Sequence, residues 1–173
     1  PTEVWEAYKT ASPSQSWNGK MATFGLMFNS DSKPLVYANE SSEELKPGQI
    51  FYIQLKLLSG LFRLAVANKV VDVDDINKRF TICYIKNGAS EGSQYIQLRE
   101  SIEGYTLVEH KSVFRSKSKF RDRRLYPNIH EKIISEFHEN IAATLGTSIY
   151  LYKPNFSKEE QLLAFKSPDI IMR

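Results

Sequence analysis

The amino-acid sequence predicts an α+β fold, a strongly bent antiparallel β-meander wrapped on a long C-terminal α-helix. Three observations carry this expectation. Apolar side chains recur at every second position in successive runs between residues 49 and 114, the connections between those runs are short, and beyond residue 128 the apolar period changes to four. Alternation marks a strand with one buried face, whereas a period near four marks an amphipathic helix. Short connections permit only antiparallel neighbours.

The elements follow in order. Residues 2–9 suit a short helix with Val4, Trp5 and Tyr8 on one side, and the Ser/Pro-rich stretch 11–16 suits a loop. Phe24, Leu26 and Phe28 alternate, which predicts a strand over 21–28. The polar stretch 39–44 suits a short helix, and Pro47-Gly48 a turn. Over 49–58, Phe51, Ile53, Leu55 and Leu57 share one face; beyond Ser59-Gly60, Phe62, Leu64, Val66 and Val70 do the same over 61–71. Phe80, Ile82 and Tyr84 alternate with residues that are themselves fairly apolar, as in a central strand. The turn at 87–92 reads as a hairpin needing positive φ. Ile96 and Leu98, then residues 105–114, complete a five-stranded meander, with 21–28 as a sixth candidate strand.

Ile129, Ile133, Phe137, Ile141 and Leu145 define the long helix, with Asn128 and Glu131 arranged as a capping box and Gly146 as the C-terminal cap. That row leaves His130 and His138 on the polar side, in water. Such a helix is about 26 Å long, enough to cover one sheet face. Residues 148–152 suit a further strand and 157–165 a short helix. A single domain is expected over 1–173, with its core at about 20–146 and 147–173 as a C-terminal extension.

Composition narrows the class. Apolar residues make up 42% of the chain and charged residues 25%, which excludes disordered and fibrous proteins. The single cysteine, Cys83, cannot form an intrachain disulfide, and no Cys/His set has zinc spacing. No apolar run is long enough to span a bilayer, and the N-terminal residues lack the basic start and apolar core of a signal peptide. A cytoplasmic protein is the expectation. The net charge of +3 is unevenly spread. Lys111, Arg115, Lys117, Lys119, Arg121, Arg123 and Arg124 stand against one acid, Asp122, while the remaining 16 Lys/Arg stand against 19 Asp/Glu. A mildly acidic body therefore carries one basic segment.

The order of elements resembles the helix-grip fold of the START / Bet v 1-like (SRPBCC) superfamily. More narrowly, 80–98 and 109–145 resemble an uncharacterised bacterial branch of it, through Tyr84, the turn at 88–92, Ser112-Val113-Phe114-Arg115, Pro127 and the helix 129–145. That branch's Tyr-Gly-Thr-Leu run is replaced here by Tyr84-Ile85-Lys86-Asn87, and its His-Pro-containing turn is missing. The resemblance implies a cavity between sheet and helix that takes a small apolar or amphipathic molecule, and it fixes no reaction. The residues expected to face that cavity are Ile53, Leu55, Leu64, Val66, Tyr84, Ile96, Leu98, Val108, Phe137 and Ile141. A register slip of one residue would exchange the two faces.

Motifs for chemistry are sparse. Tyr84, His110 and Tyr105 are the only candidates for a cyclase- or hydrolase-like activity, and Glu109, next to His110 on the last strand, points to the opposite face from it. There is no nucleophile elbow and no phosphate loop. Asp72, Asp74 and Asp75 lack the Gly and closing Glu of a calcium loop. No catalytic residue, metal or cofactor is therefore assigned, and an enzyme is not the leading expectation. Phe114, Phe120 and Tyr126 interleave with the basic segment. A solvated connection anchored by its aromatics explains this pattern; the sharper alternative is a polyanion-binding module for nucleic acid or anionic lipid. Oligomeric state is left open.

Overall fold

The computed structural model of the chain describes residues 1–29, 35–40, 44–57, 60–85, 91–100, 105–116 and 118–147. Its centre is a seven-stranded sheet in the order β2-β1-β3-β4-β5-β6-β7, with every pairing antiparallel. The strands are β1 Ala22–Phe28, β2 Leu35–Tyr37, β3 Ile50–Leu57, β4 Phe62–Asp74, β5 Arg79–Tyr84, β6 Glu91–Glu100 and β7 Thr106–Arg115. Helices α1 Thr2–Thr10 and α2 Pro13–Ser16 precede the sheet, and α3 Tyr126–Thr144 follows it through one π-helical turn, Arg121–Leu125. The meander, the strand ahead of it and the C-terminal helix all match the expectation from pattern. β2 is an additional strand: three residues are too few to display alternation, and it forms as the hairpin partner of β1 through Leu26↔Tyr37 and Phe28↔Leu35.

One face of the sheet is covered by all three helices. Trp5 and Tyr8 of α1 lie against Phe80, while Trp17 lies between Phe51 and Phe137, its ring centre 4.4 Å from that of Phe137. The core gathers Phe51, Ile53, Val70, Phe80, Ile82, Ile96 and Leu98 from the sheet with Ile133, Phe137 and Ile141 from α3. The alternation in β3 and β5 therefore identifies the inward face correctly. β4 continues further than its pattern suggests, because a bulge between Val70 and Asp72 breaks the alternation without breaking the ladder.

Two expectations about α3 fail. It starts at Tyr126, so Asn128 is its third residue and caps nothing; its side-chain amide donates to the Arg124 carbonyl at 3.4 Å. The helical residues 119–125 run into α3 without a break and supply carbonyls upstream, so its first N–H groups need no side-chain cap. Second, His130 and His138 are buried together with Ile133, Phe137, Ile141 and Ala142. The core-facing stripe of α3 is broader than one row of four-spaced residues, and both histidines fall within it. The C-terminus ends as expected: Gly146 has φ +65° and donates to the Ala143 carbonyl.

Polar ties hold the helices in place. The Glu136 carboxylate accepts from the Lys20 and Met21 N–H groups at 3.0 and 2.8 Å, and the Asn140 amide donates to the Ser16 carbonyl at 3.0 Å. Lys9, buried, pairs with Glu44 and Asp75 at 2.9 Å and Glu6 at 3.2 Å, fastening α1 to the β4–β5 turn. The hydrogen bonds to Asp75 and Glu44 hold its ammonium pKa above the usual value. Asn39 lies in a turn rather than a helix; 41–43, and the elements expected over 148–165, lie outside the described residues. Among the described residues no helix is long and apolar enough to cross a membrane.

Gly92, read from sequence as a turn residue, stands inside β6 opposite Phe114 with φ +141°. A Cβ there would lie 2.0 Å from the Val113 carbonyl oxygen, a backbone atom that cannot step aside. Gly92→Ala is therefore expected to lower the unfolding free energy by at least about 2 kcal/mol, measured by urea titration; an unchanged midpoint would contradict this placement.

Candidate functional site

Strand register builds a polar row on the inner face of the sheet. Asn68 on β4 is opposite Tyr84 on β5, Ile82 on β5 is opposite Gln94 on β6, and Gln94 and Ile96 are opposite Ser112 and His110 on β7. Asn68, Gln94 and Ser112 are buried. α3 lays Tyr126, His130 and His138 over this row, and α1 adds Tyr8.

The hydrogen bonds run in one direction. Gln94 Oε1 can only accept, and it receives His110 Nε2 at 2.9 Å, His130 Nε2 at 3.1 Å and Ser112 Oγ at 3.1 Å. His110 therefore carries its proton on Nε2, and its Nδ1 accepts from His138 Nε2 at 3.1 Å. His138 Nδ1 in turn accepts from the Tyr8 hydroxyl at 2.5 Å. His130 Nε2 also lies 3.0 Å from Ser112 Oγ. On the other side the Gln94 amide nitrogen donates to the Tyr84 hydroxyl at 3.5 Å, and Tyr84 is hydrogen-bonded to Tyr126. Tyr126 stacks between Phe114 and His130, with ring centres 3.5 and 5.0 Å away.

This pattern needs His110 neutral, because its Nδ1 accepts, and burial favours the neutral form of all three rings. Burial removes the water that would stabilise their charge and lowers the pKa of His130 and of His138 to about 4. His110 is pushed well down, chiefly by burial and then by repulsion from His138 and His130. Burial also raises the hydroxyl pKa of Tyr8 and Tyr126, and that of Tyr84 to about 12. Three histidines invite comparison with a metal centre, but the rings bond to one another and to Gln94 rather than converging on a point. Among the described residues no group of three His, Cys, Asp or Glu is placed to hold a metal ion. One atom of the row is left over: Asn68 Oδ1 is buried and has no hydrogen-bond partner.

The residues expected to face a cavity sort by depth. Ile53, Ile96, Leu98, Phe137 and Ile141 belong to the buried core; Leu55, Val66 and Val108 are partly buried against it; Leu64 is 37% exposed. Tyr84 belongs to the polar row. Of the acid–base candidates, His110 and Tyr84 join the cluster, whereas Tyr105 is exposed ahead of β7, and Glu109, beside His110, faces outward and pairs with Lys111 and Arg99. The basic segment does not act as one patch. Lys111 is paired with Glu109 at 3.0 Å and lies over the Tyr95 ring, and Arg115 is paired with Glu91 at 3.1 Å. Arg121 is half-buried, Lys119, Arg123 and Arg124 are exposed, and Lys117 lies outside the described residues.

Sequence reasoning missed Asn68, Gln94, Ser112, His130 and His138, although a signal existed. Asn68 stands between Val66 and Val70, and Gln94 precedes Ile96 and Leu98, at the buried parity of their strands. A polar residue at core parity asks for a buried partner. On α3, His130, Ile134 and His138 form a second four-spaced row beside the apolar one.

Compared with known proteins, the chain matches no family model and no curated sequence.

The neutral histidines set a pH dependence. Unfolded imidazoles titrate near 6.5, the folded ones lower, so below about pH 6.5 the unfolded chain binds more protons and stability falls with pH. The contribution is full above about 6.5 and is lost progressively towards about 4, to the extent of about 3 kcal/mol for each of His130 and His138. The urea midpoint is expected to drop between pH 7 and 5, above the carboxylate range, with a shallower drop in His138→Gln. A flat midpoint over that interval would refute the neutral cluster.

Proposed function

We propose that the chain is a helix-grip-like protein of START / Bet v 1-like kind that binds a small amphipathic molecule against the inner face of the sheet beside the start of α3. The buried, unpartnered Oδ1 of Asn68 carries this reading, because a buried acceptor without a donor costs about 1–3 kcal/mol and is rarely kept without use. A ligand hydroxyl or amine would supply the missing donor. The same face of β4 then becomes steadily more open and apolar: Val66 is half-buried, Leu64 is 37% exposed and Phe62 62% exposed. Alternate strand residues are about 6.6 Å apart, so the polar acceptor and the apolar run together span about 20 Å. That suits a molecule with one polar end and an apolar body.

A cyclase- or hydrolase-like activity in the same place draws support from His110 facing inward. Both of its ring nitrogens are engaged, by His138 and Gln94, so it offers a substrate no free lone pair. Binding without chemistry is the reading the geometry favours.

Native mass spectrometry of the full chain, purified without denaturation, is expected to show a retained small molecule. Asn68→Leu is expected to release it. The same variant should hold or slightly raise the thermal midpoint of the ligand-free protein, since it replaces an unsatisfied polar atom by an apolar group of similar size. A midpoint that falls sharply would make Asn68 a structural residue. Absence of retained ligand, together with no thermal shift from a panel of long-chain acids, alcohols and sterols, would remove the ligand reading.

A further inference from the structure

The connection from β7 to α3 exposes residues that its own packing does not need. Phe114 and Tyr126, at its two ends, are stacked against each other and anchor it. Between them Phe120 is 67% exposed and Leu125 46% exposed, flanked by exposed Lys119, Arg123 and Arg124. The acid in this stretch, Asp122, is turned back on the chain, accepting from the Ser116 N–H at 2.9 Å and the Ser116 hydroxyl. Lys111 and Arg115, by contrast, are already neutralised by glutamates. Among the described residues, Lys119, Arg123 and Arg124 thus stand beside apolar side chains without a carboxylate in ion-pair distance.

A second element shares this end of the molecule. Leu57 pairs with Phe62, β5 ends at Tyr84 opposite Asn68, and β7 ends at Arg115 opposite Glu91, so the β3–β4 hairpin projects from the same end of the sheet. Its tip exposes Leu61 at 82% and Phe62 at 62%, next to exposed Arg63. Isolated exposed apolar residues are ordinary, but two tips at one end, each pairing large apolar side chains with cations, form a pattern.

We propose that this end docks on an anionic lipid surface, with Phe120, Leu125, Leu61 and Phe62 entering the headgroup boundary and Lys119, Arg123, Arg124 and Arg63 resting among anionic headgroups. The composition selects a bilayer over nucleic acid. Single strands are held by aromatic faces on which bases stack, and two of the four apolar side chains are leucines, which offer no such face. The bilayer boundary takes Phe and Leu alike, provided cations flank them. The proposal shares Phe62 with the ligand reading but needs no ligand at Asn68.

The test is co-sedimentation of the full chain with vesicles of phosphatidylcholine alone and of phosphatidylcholine mixed with phosphatidylserine, at low and at physiological salt. Binding is expected to the anionic vesicles and to weaken with salt. The triple variant Lys119→Gln, Arg123→Gln, Arg124→Gln should lose on the order of a hundredfold in partitioning. Phe120→Ser with Leu125→Ser should weaken binding while keeping the salt dependence, with circular dichroism confirming that both variants are folded. Equal binding to the two vesicle types, no binding at low salt, or wild-type partitioning by the folded triple variant would overturn the proposal. So would tighter binding of a single-stranded oligonucleotide that needs the same three cations.

Discussion

The side-chain carbonyl of Gln94 receives hydrogen bonds from His110, Ser112 and His130, and the seam between sheet and α3 is organised around that oxygen. Each of these groups is costly to remove from water unless it is paired, and each accepts pairing only over a narrow range of distance and angle. The apolar row Ile133, Phe137 and Ile141 supplies the area that drives α3 onto the sheet. Hydrophobic burial is nondirectional, however, and would tolerate a sliding or rotated helix. Rotation by one residue would strip His130 and His138 of Ser112, Gln94, His110 and Tyr8, leaving several buried polar atoms without partners. Area gives the helix its affinity for the sheet, and the polar seam gives it its register.

The seam also dictates the charge state of the interior. A carbonyl acceptor at one end and a tyrosine hydroxyl at the other leave a consistent direction for every proton between them, with His110 and His138 neutral. Protonating a ring would set two donors against each other in a place without water. The ring nitrogens of His110 are both taken up inside the row, and the one buried acceptor of the row left without a donor is Asn68 Oδ1.

The two ends of the sheet differ accordingly. At one end Trp5 is tied to Asp75 and Lys9 to three carboxylates, closing the core over Phe80. At the other, among the described residues β4 pairs with β3 alone before Ala67, and the inner-face side chains Leu64 and Phe62 are exposed. An orphan acceptor, an open apolar strip and cation-flanked apolar tips thus share one end of the molecule.

The local period of the chain determined every strand but β2, the long helix and the inward face of β3 and β5, because alternation and four-residue spacing are properties of neighbours along the backbone. It also marked the end of α3 at Gly146, since only a residue at ease with positive φ stops a helix in that way. Tertiary structure alone decided what the polar residues at core parity do. Tyr8 and His138 are 130 positions apart, and Gln94 and His130 are 36 apart, so no window of sequence contains both members of either pair. A lone histidine beside an apolar row reads as solvated until its partner is known. The partner here is supplied by strand pairing, which brings Gln94, His110 and Ser112 to the one face on which α3 comes to rest.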